Sequence, residues 1–378
     1  MLLQLVKRLI ASKRTSRHTT RLRFRPTLEA LETRAVPVVN FTVNTLGDKP
    51  DIFVGDGFAL DEDGNTSLRA AIEEGNEAGE AVAINFDAKL FPNNTPGTIV
   101  LGSALDDLEE NLTITGPGSS KLAVVRDTNQ DPFRLVTISD DTLTCSIQGV
   151  TLAKGNSDGI GSGGAILNAG SLTLVDCVFM ENESNNGGAI YNSGTLSASA
   201  CTFVSNGTIN GLGGAIFNEF GTLTLSLGCS LTQNSAATWG GAIYNGNDGS
   251  VTIQGDTQIS GNSAALGGGI YNQSGQVTMN GGYIGYNQAS ENAQLMNSAR
   301  GGGYYGAGGS ASFEGVNFDT NSADNRGGGF YVEAGSFTIN TCTISGNTSP
   351  TGPGGYVELN VTYTRESCTV NDVIVVET

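Results

Sequence analysis

The sequence predicts an all-β protein, a single-stranded right-handed parallel β-helix (a solenoid) of about 26 residues per coil. Three observations predict it. A Gly-Gly phrase recurs at a near-constant step. A second phrase ending in Asn follows each copy at a near-constant distance. The residues between them read as short alternating strands, bounded by Gly, Asn, Ser and Asp.

The first phrase is GGAILN at Gly163, GGAIYN at Gly187, GGAIFN at Gly213, GGAIYN at Gly240, GGGIYN at Gly267, GGGYYG at Gly301 and GGGFYV at Gly327, with a degenerate copy at Gly354. The second lies 19–22 residues later: an apolar residue, two others, then Asn182, Asn206, Asn234, Asn262, Asn287, Asn321 or Asn347. Helical repeats of similar length need apolar stripes of period 3.6, which are absent. Three short strands and three turns per copy make one coil, and coils must stack because none can bury its own apolar face. The glycines have two candidate roles: reaching backbone angles that side chains forbid, or letting coils lie close. The recurrent asparagines are expected to stack as a ladder at one turn.

Alternation places Leu172, Leu174, Cys177 and Phe179 on the core side, with Leu223, Leu225, Cys229, Leu231, Val251, Ile253, Thr257 and Ile259 as their equivalents. In the Gly-Gly phrase two phases stay open. With Ile190, Ile216, Ile243 and Ile270 inward, Tyr191, Phe217, Tyr244, Tyr271, Tyr305 and Tyr331 form an outer, binding-competent ladder; in the opposite phase they stack in the core. Cys177, Cys201, Cys229, Cys342 and Cys368 occupy one slot that elsewhere holds Thr257, Gly282 or Val316. A slot with that tolerance predicts a ladder of reduced, buried thiols rather than disulfides.

The remaining segments are read from charge and capping. Residues 1–37 carry nine basic and two acidic side chains, +7, whereas the other 341 carry −25, out of a formal −18 for the chain. We expect a disordered targeting tail in 1–37, a cap with the first strands in 38–110, and the coils in 111–378. The one histidine, His18, is in the tail, so the body has no histidine chemistry. Glycine, 54 of 378 residues, has no period of three, which excludes collagen. No apolar run is long enough for a membrane helix, and the acidic body argues against nucleic-acid partners. Thr66 or Ser67 starts a short capping helix near 66–74, with Gly75 as its stop. In the acidic loop before it, Asp61, Asp63 and Asn65 are hard oxygen donors at close spacing, making calcium the one candidate cofactor.

Three short stretches resemble known families. Leu31-Glu32-Thr33-Arg34-Ala35-Val36-Pro37 resembles the LExRxxP signature of surface and exported proteins of planctomycete bacteria, which implies export machinery as a partner of residues 1–37. Phe41-Thr42-Val43-Asn44-Thr45 and Ser67-Leu68-Arg69…Ala71-Ile72 resemble the CSLREA domain found before bacterial β-helices, with Thr66 and Ala70 departing from its Cys and Glu. The GGAI and FxxN phrases resemble polymorphic outer-membrane protein repeats, which implies a surface or extracellular protein. No membrane barrel is expected in the last residues, Val373–Thr378.

For activity, the repeat region from residue 150 onward offers Lys154, Arg300, Arg326 and Arg365 as its only cations. Arg300 and Arg326 share a register before Gly-Gly-Gly and are candidates to bind an anionic sugar, with Asp319 or Asp324 nearby. The 34-residue step between Gly267 and Gly301 carries about eight extra residues near Gln288–Met296, a candidate recognition loop. The expected function is an exported, non-catalytic β-helix: an adhesin, an envelope component or a scaffold binding a surface glycan or protein. The alternatives are a polysaccharide-active enzyme of the pectate-lyase type and a purely structural spacer. The Gly-His-Gly phrase of polygalacturonase-type hydrolases is absent.

Overall fold

The computed structural model describes residues 37–157, 161–291 and 298–378. The segment expected to be a targeting tail lies outside the described residues up to Val36. The chain is a right-handed parallel solenoid of about 27 residues per turn. Its three main sheets have 12, 11 and 10 strands, each strand pairing with its counterpart one coil away, and two short sheets of two and three strands line a corner between them. Register is kept by the apolar pattern, since a one-residue slip would turn every core side chain outward. In the first sheet Leu172 pairs with Leu196, Leu196 with Leu223, and Leu223 with Val251. In the second the line runs Phe179, Phe203, Leu231, Ile259, Ile284, Phe318, Ile344. All twelve residues assigned to the core side are buried, Thr257 included. Each fully buried Leu, Ile or Phe contributes about 1.5–3 kcal/mol.

The two glycine roles fall to different members of the pair. The first glycine takes positive φ: 64° at Gly187, 66° at Gly213, 70° at Gly240. The second permits close approach. A Cβ on Gly214 would lie 2.1 Å from the Gly241 carbonyl oxygen, and one on Gly241 would lie 2.1 Å from that of Gly268.

The helix α1 runs Leu68–Asn76, capped by Ser67, whose Oγ accepts the Ala70 N–H at 2.9 Å. Its Leu68, Ala70, Ala71 and Ile72 join the main core. It packs on β1 (Val38–Val43) and β2 (Ala81–Phe86) at the start of the first sheet. Gly75 is not its stop. Gly75 lies inside the helix, and a Cβ there would press on Val82 at 3.1 Å, so it is a packing glycine. Residue 110 is not a break either: β2 pairs directly with the strand Leu112–Thr115, so residues 38–110 already build the first coils. Arg69 fastens this end. Its buried guanidinium meets both Asp48 oxygens at 3.0 and 3.1 Å and donates to the carbonyls of Ser103 and Ala104.

The extra residues of the long step begin later than expected. Gln288–Ala289 is a regular strand, paired with Ser263–Ala264 and Ser322–Ala323. The insertion therefore follows Ala289, and residues 292–297 lie outside the described ones.

Candidate functional site

The corner after the second sheet is built around the predicted asparagines. At each turn a residue with positive φ, such as Glu181, Ser205, Gln233 or Thr320, directly precedes the Asn. The side chain of that Asn then does three jobs. Asn206 Nδ2 donates to Phe179 O at 3.0 Å and to Asn234 Oδ1 at 3.0 Å, while its Oδ1 accepts the N–H and Nδ2 of Asn182. The same bonds link Asn182 through Asn347. At the last rung Asp372 accepts from Asn347 N and Nδ2 at 2.9 and 2.8 Å.

A second ladder was missed in the sequence. The terminal Asn of the Gly-Gly phrase, at Asn168, Asn192, Asn218, Asn245 and Asn272, is fully buried and joined Nδ2 to Oδ1 at 2.7–2.8 Å. Its signal was present as the sixth letter of the phrase. It ends at Gly306, over which the Tyr304 hydroxyl packs.

The aromatic phase is now defined. Ile190, Ile216, Ile243 and Ile270 are buried in the main core, so the rings point out of the third sheet. They are nevertheless covered. Phe217, Tyr244, Tyr271, Tyr305, Tyr331 and Tyr356 form a second apolar cluster with Leu212, Trp239 and Leu266 over it, and only Tyr191 is half-exposed. Successive rings stack with centroids 4.8–5.6 Å apart from Tyr191 to Tyr356. From Phe217 to Tyr356 their faces are spent on each other.

What reaches the rim is polar. Tyr191 donates its hydroxyl to Glu219 at 3.1 Å. Tyr244 donates to Gln273, Tyr305 to Glu333, Tyr331 to Glu358 and Tyr356 to Glu377, in each case on the following coil. Burial, helped by Glu219, pushes Tyr191 and Tyr244 up to about 12.

Arg300 and Arg326 stand on neighbouring coils as backbone-bridged partners. Each lies over a ring of the next coil: Arg300 Cζ is 5.0 Å from the Tyr331 centroid, Arg326 Cζ 4.8 Å from that of Tyr356. Arg300 Nη1 donates to the Tyr331 hydroxyl at 3.1 Å, and Arg326 reaches Glu358 at 3.5 Å. Asp319 is not part of this group; it faces out of the second sheet and accepts from Tyr283 and Ser345. Asp324 accepts the Glu291 N–H.

Cys177, Cys201, Cys229 and Cys342 are buried, and all six cysteines are free. Cys368 departs from the buried ladder, being half-exposed in the last coil, where no described coil follows it. The contact with Cys177 raises Cys201 to about 12, and burial raises Cys342 to about 11, so these thiols stay protonated at neutral pH.

Asp61, Asp63 and Asn65 sit together in one turn. Asp61 Oδ1 accepts the N–H groups of Asp63 and Asn65 at 2.9 and 2.8 Å, closing the loop on itself. Asp63 and Glu62 are taken by Lys49 at 2.6 and 2.8 Å. Among the described residues no three His, Cys, Asp or Glu side chains converge at metal-binding spacing.

The Chlamydia polymorphic membrane protein repeat matches residues 176–193 and 228–246, spanning the second-sheet strands, the first corner and one Gly-Gly phrase. No curated protein matches the chain. Among solved structures the chain is similar to the A-module of the mannuronan C-5 epimerase AlgE6 of Azotobacter vinelandii. The identity is 13%, over 82% of this chain and 91% of that one, with a TM-score of 0.38.

Proposed function

We propose that the protein is an exported, cell-surface β-helix that acts without catalysis, as an adhesin, envelope component or ligand-binding scaffold. One observation carries this reading. The repeated polar side chains are spent along the axis, in two asparagine ladders and a tyrosine–carboxylate rim, rather than gathered round a reacting centre. Such groups stiffen a rod and hold its surface in register. The repeat match supports a surface location, because the matched repeat is that of a membrane protein.

Within that reading the recognition surface is the Arg300/Arg326 edge beside the long step. Two guanidinium groups one coil apart suit a carboxylated or sulfated glycan, with Arg300 the stronger contributor because Arg326 shares its charge with Glu358. A glycan array run with an unsaturated-product assay on anionic polysaccharides tests it. Binding without product, weakened at least tenfold by Arg300→Ala, supports the proposal. Product formation overturns the non-catalytic reading, and binding untouched by Arg300→Ala overturns the assigned edge.

A further inference from the structure

The N-terminal end of the solenoid holds a cleft of about 620 Å³ between the loop after β1, the C-terminal half of α1 and the segment 104–109. Six carboxylates line it: Asp51, Glu73, Glu77, Asp106, Asp107 and Glu109. No Lys or Arg does, and among the described residues none of the six is ion-paired. The nearest guanidinium, Arg69, is consumed by Asp48 and two carbonyls. Pro50, Val54 and Leu105 give the cleft apolar walls.

One group in the cleft is left incomplete. Asp51 is 9% exposed; its Oδ1 accepts the Phe53 N–H at 3.0 Å, but its Oδ2 is buried with no hydrogen-bond partner. A buried carboxylate oxygen without a donor is destabilising, the more so when charged. Glu73 is next to it, accepting the Asp51 N–H at 2.7 Å, and burial raises its pKa, with Asp106 and Asp51 adding to the rise. Crowded negative charge with an orphaned acceptor calls for a cation that brings N–H donors. A bare metal ion does not fit, since no three of these carboxylates converge. A donor group on an apolar stem fits better: the stem packs on the walls and the head bridges carboxylates too far apart for a metal.

We propose that this cleft binds a guanidinium or ammonium group carried on an apolar stem, as in an arginine or lysine side chain of a partner peptide. The head takes the Asp51 Oδ2 and Glu73 side, and Asp106 and Glu109 supply attraction at the mouth. This site is separate from the Arg300/Arg326 edge and does not rest on it.

The test is titration calorimetry on the full chain, with acetyl-Arg-Arg-amide, spermidine and calcium chloride in separate arms at low salt. The expected result is saturable 1:1 binding of the peptide. Asp51→Asn should weaken it at least tenfold, as should Asp106→Asn with Glu109→Gln, two exposed positions that leave the fold intact. Asp141→Asn with Glu314→Gln, the same charge change elsewhere on the surface, should weaken it less than twofold. Spermidine binding tighter than the peptide would assign the same cleft to free polyamines. No saturable organic-cation binding, equal loss in the charge-matched control, or displacement of the peptide by calcium would overturn the proposal.

Discussion

Replacing Asn234 by Ala removes one rung from the middle of the first ladder, and its cost can be worked from the bonds. Nδ2 loses Phe203 O at 3.0 Å and Asn262 Oδ1 at 2.9 Å, and Oδ1 no longer accepts Asn206 N and Nδ2, both at 3.0 Å. Four bonds at a net of about 1 kcal/mol each give about 4 kcal/mol, and the stranded Asn206 N–H keeps the figure from falling lower. That is a large share of a typical stability of about 5–15 kcal/mol. The assay is urea unfolding followed by the fluorescence of Trp239, the only tryptophan, beside far-ultraviolet circular dichroism. Solenoids unfold in blocks, so the Trp239 signal reports the coils next to the lesion. Asn234→Asp is the companion variant. It keeps the acceptor for Asn206 but turns a carboxylate toward Phe203 O and Asn262 Oδ1. The folded state then favours the protonated acid, so stability is greatest at low pH and falls as pH rises above about 4, the unfolded carboxyl value. A loss below about 1 kcal/mol in Asn234→Ala would refute the claim that the ladder supports the stack.

Three further outcomes are expected. Gly241→Ala, with its Cβ against a neighbouring carbonyl, should prevent folding or cost over about 3 kcal/mol. Gly228→Ala, at φ 75° with open space around it, should cost only about 1–2 kcal/mol, and thermal melts of the pair separate crowding from backbone strain. Tyrosines of the outer stack should not ionise at the ordinary value near 10. Tyr191 and Tyr244 are raised to about 12, so their contribution is fully present below about pH 10 and is lost as pH climbs through 12. An ultraviolet titration with every tyrosine ionising near 10 would count against the buried stack. Thiol labelling of native protein should modify Cys368 first, and all six cysteines after denaturation; fewer than six would mean disulfides.

Periodicity carried most of the architecture because each coil repeats the same physical problem, and Phe179, Phe203 and Leu231 solve it at the same place. What it could not carry were relations between coils. The hydroxyl of Tyr331 finds Glu358 on the next coil, a separation that no local pattern marks. The phase of Tyr191 and its equivalents was illegible because a Gly-Gly turn precedes each strand, and alternation cannot be counted through it. Asn192 was overlooked as a rung because, at a strand end, the same letter serves equally well on a wet turn. Gly75 read as a helix stop, yet its reason for being glycine is Val82, which comes later in the chain and packs beside it.

The first asparagine ladder has a direction. Every rung accepts from the coil before it and donates to the coil after it, so a rung has two unlike ends. A whole coil can be duplicated or deleted and the bonds close again, whereas part of a coil leaves a donor facing a donor or an acceptor facing nothing. Length in such a protein changes in whole units, except where neither the core strands nor the ladder cross the path. The extra residues of the long step come after Ala289, past that coil's Asn287 rung and its Gln288–Ala289 strand. The rung after Asn347 obeys the same logic, with Asp372 in place of Asn accepting both the N–H and the Nδ2 of the coil before it.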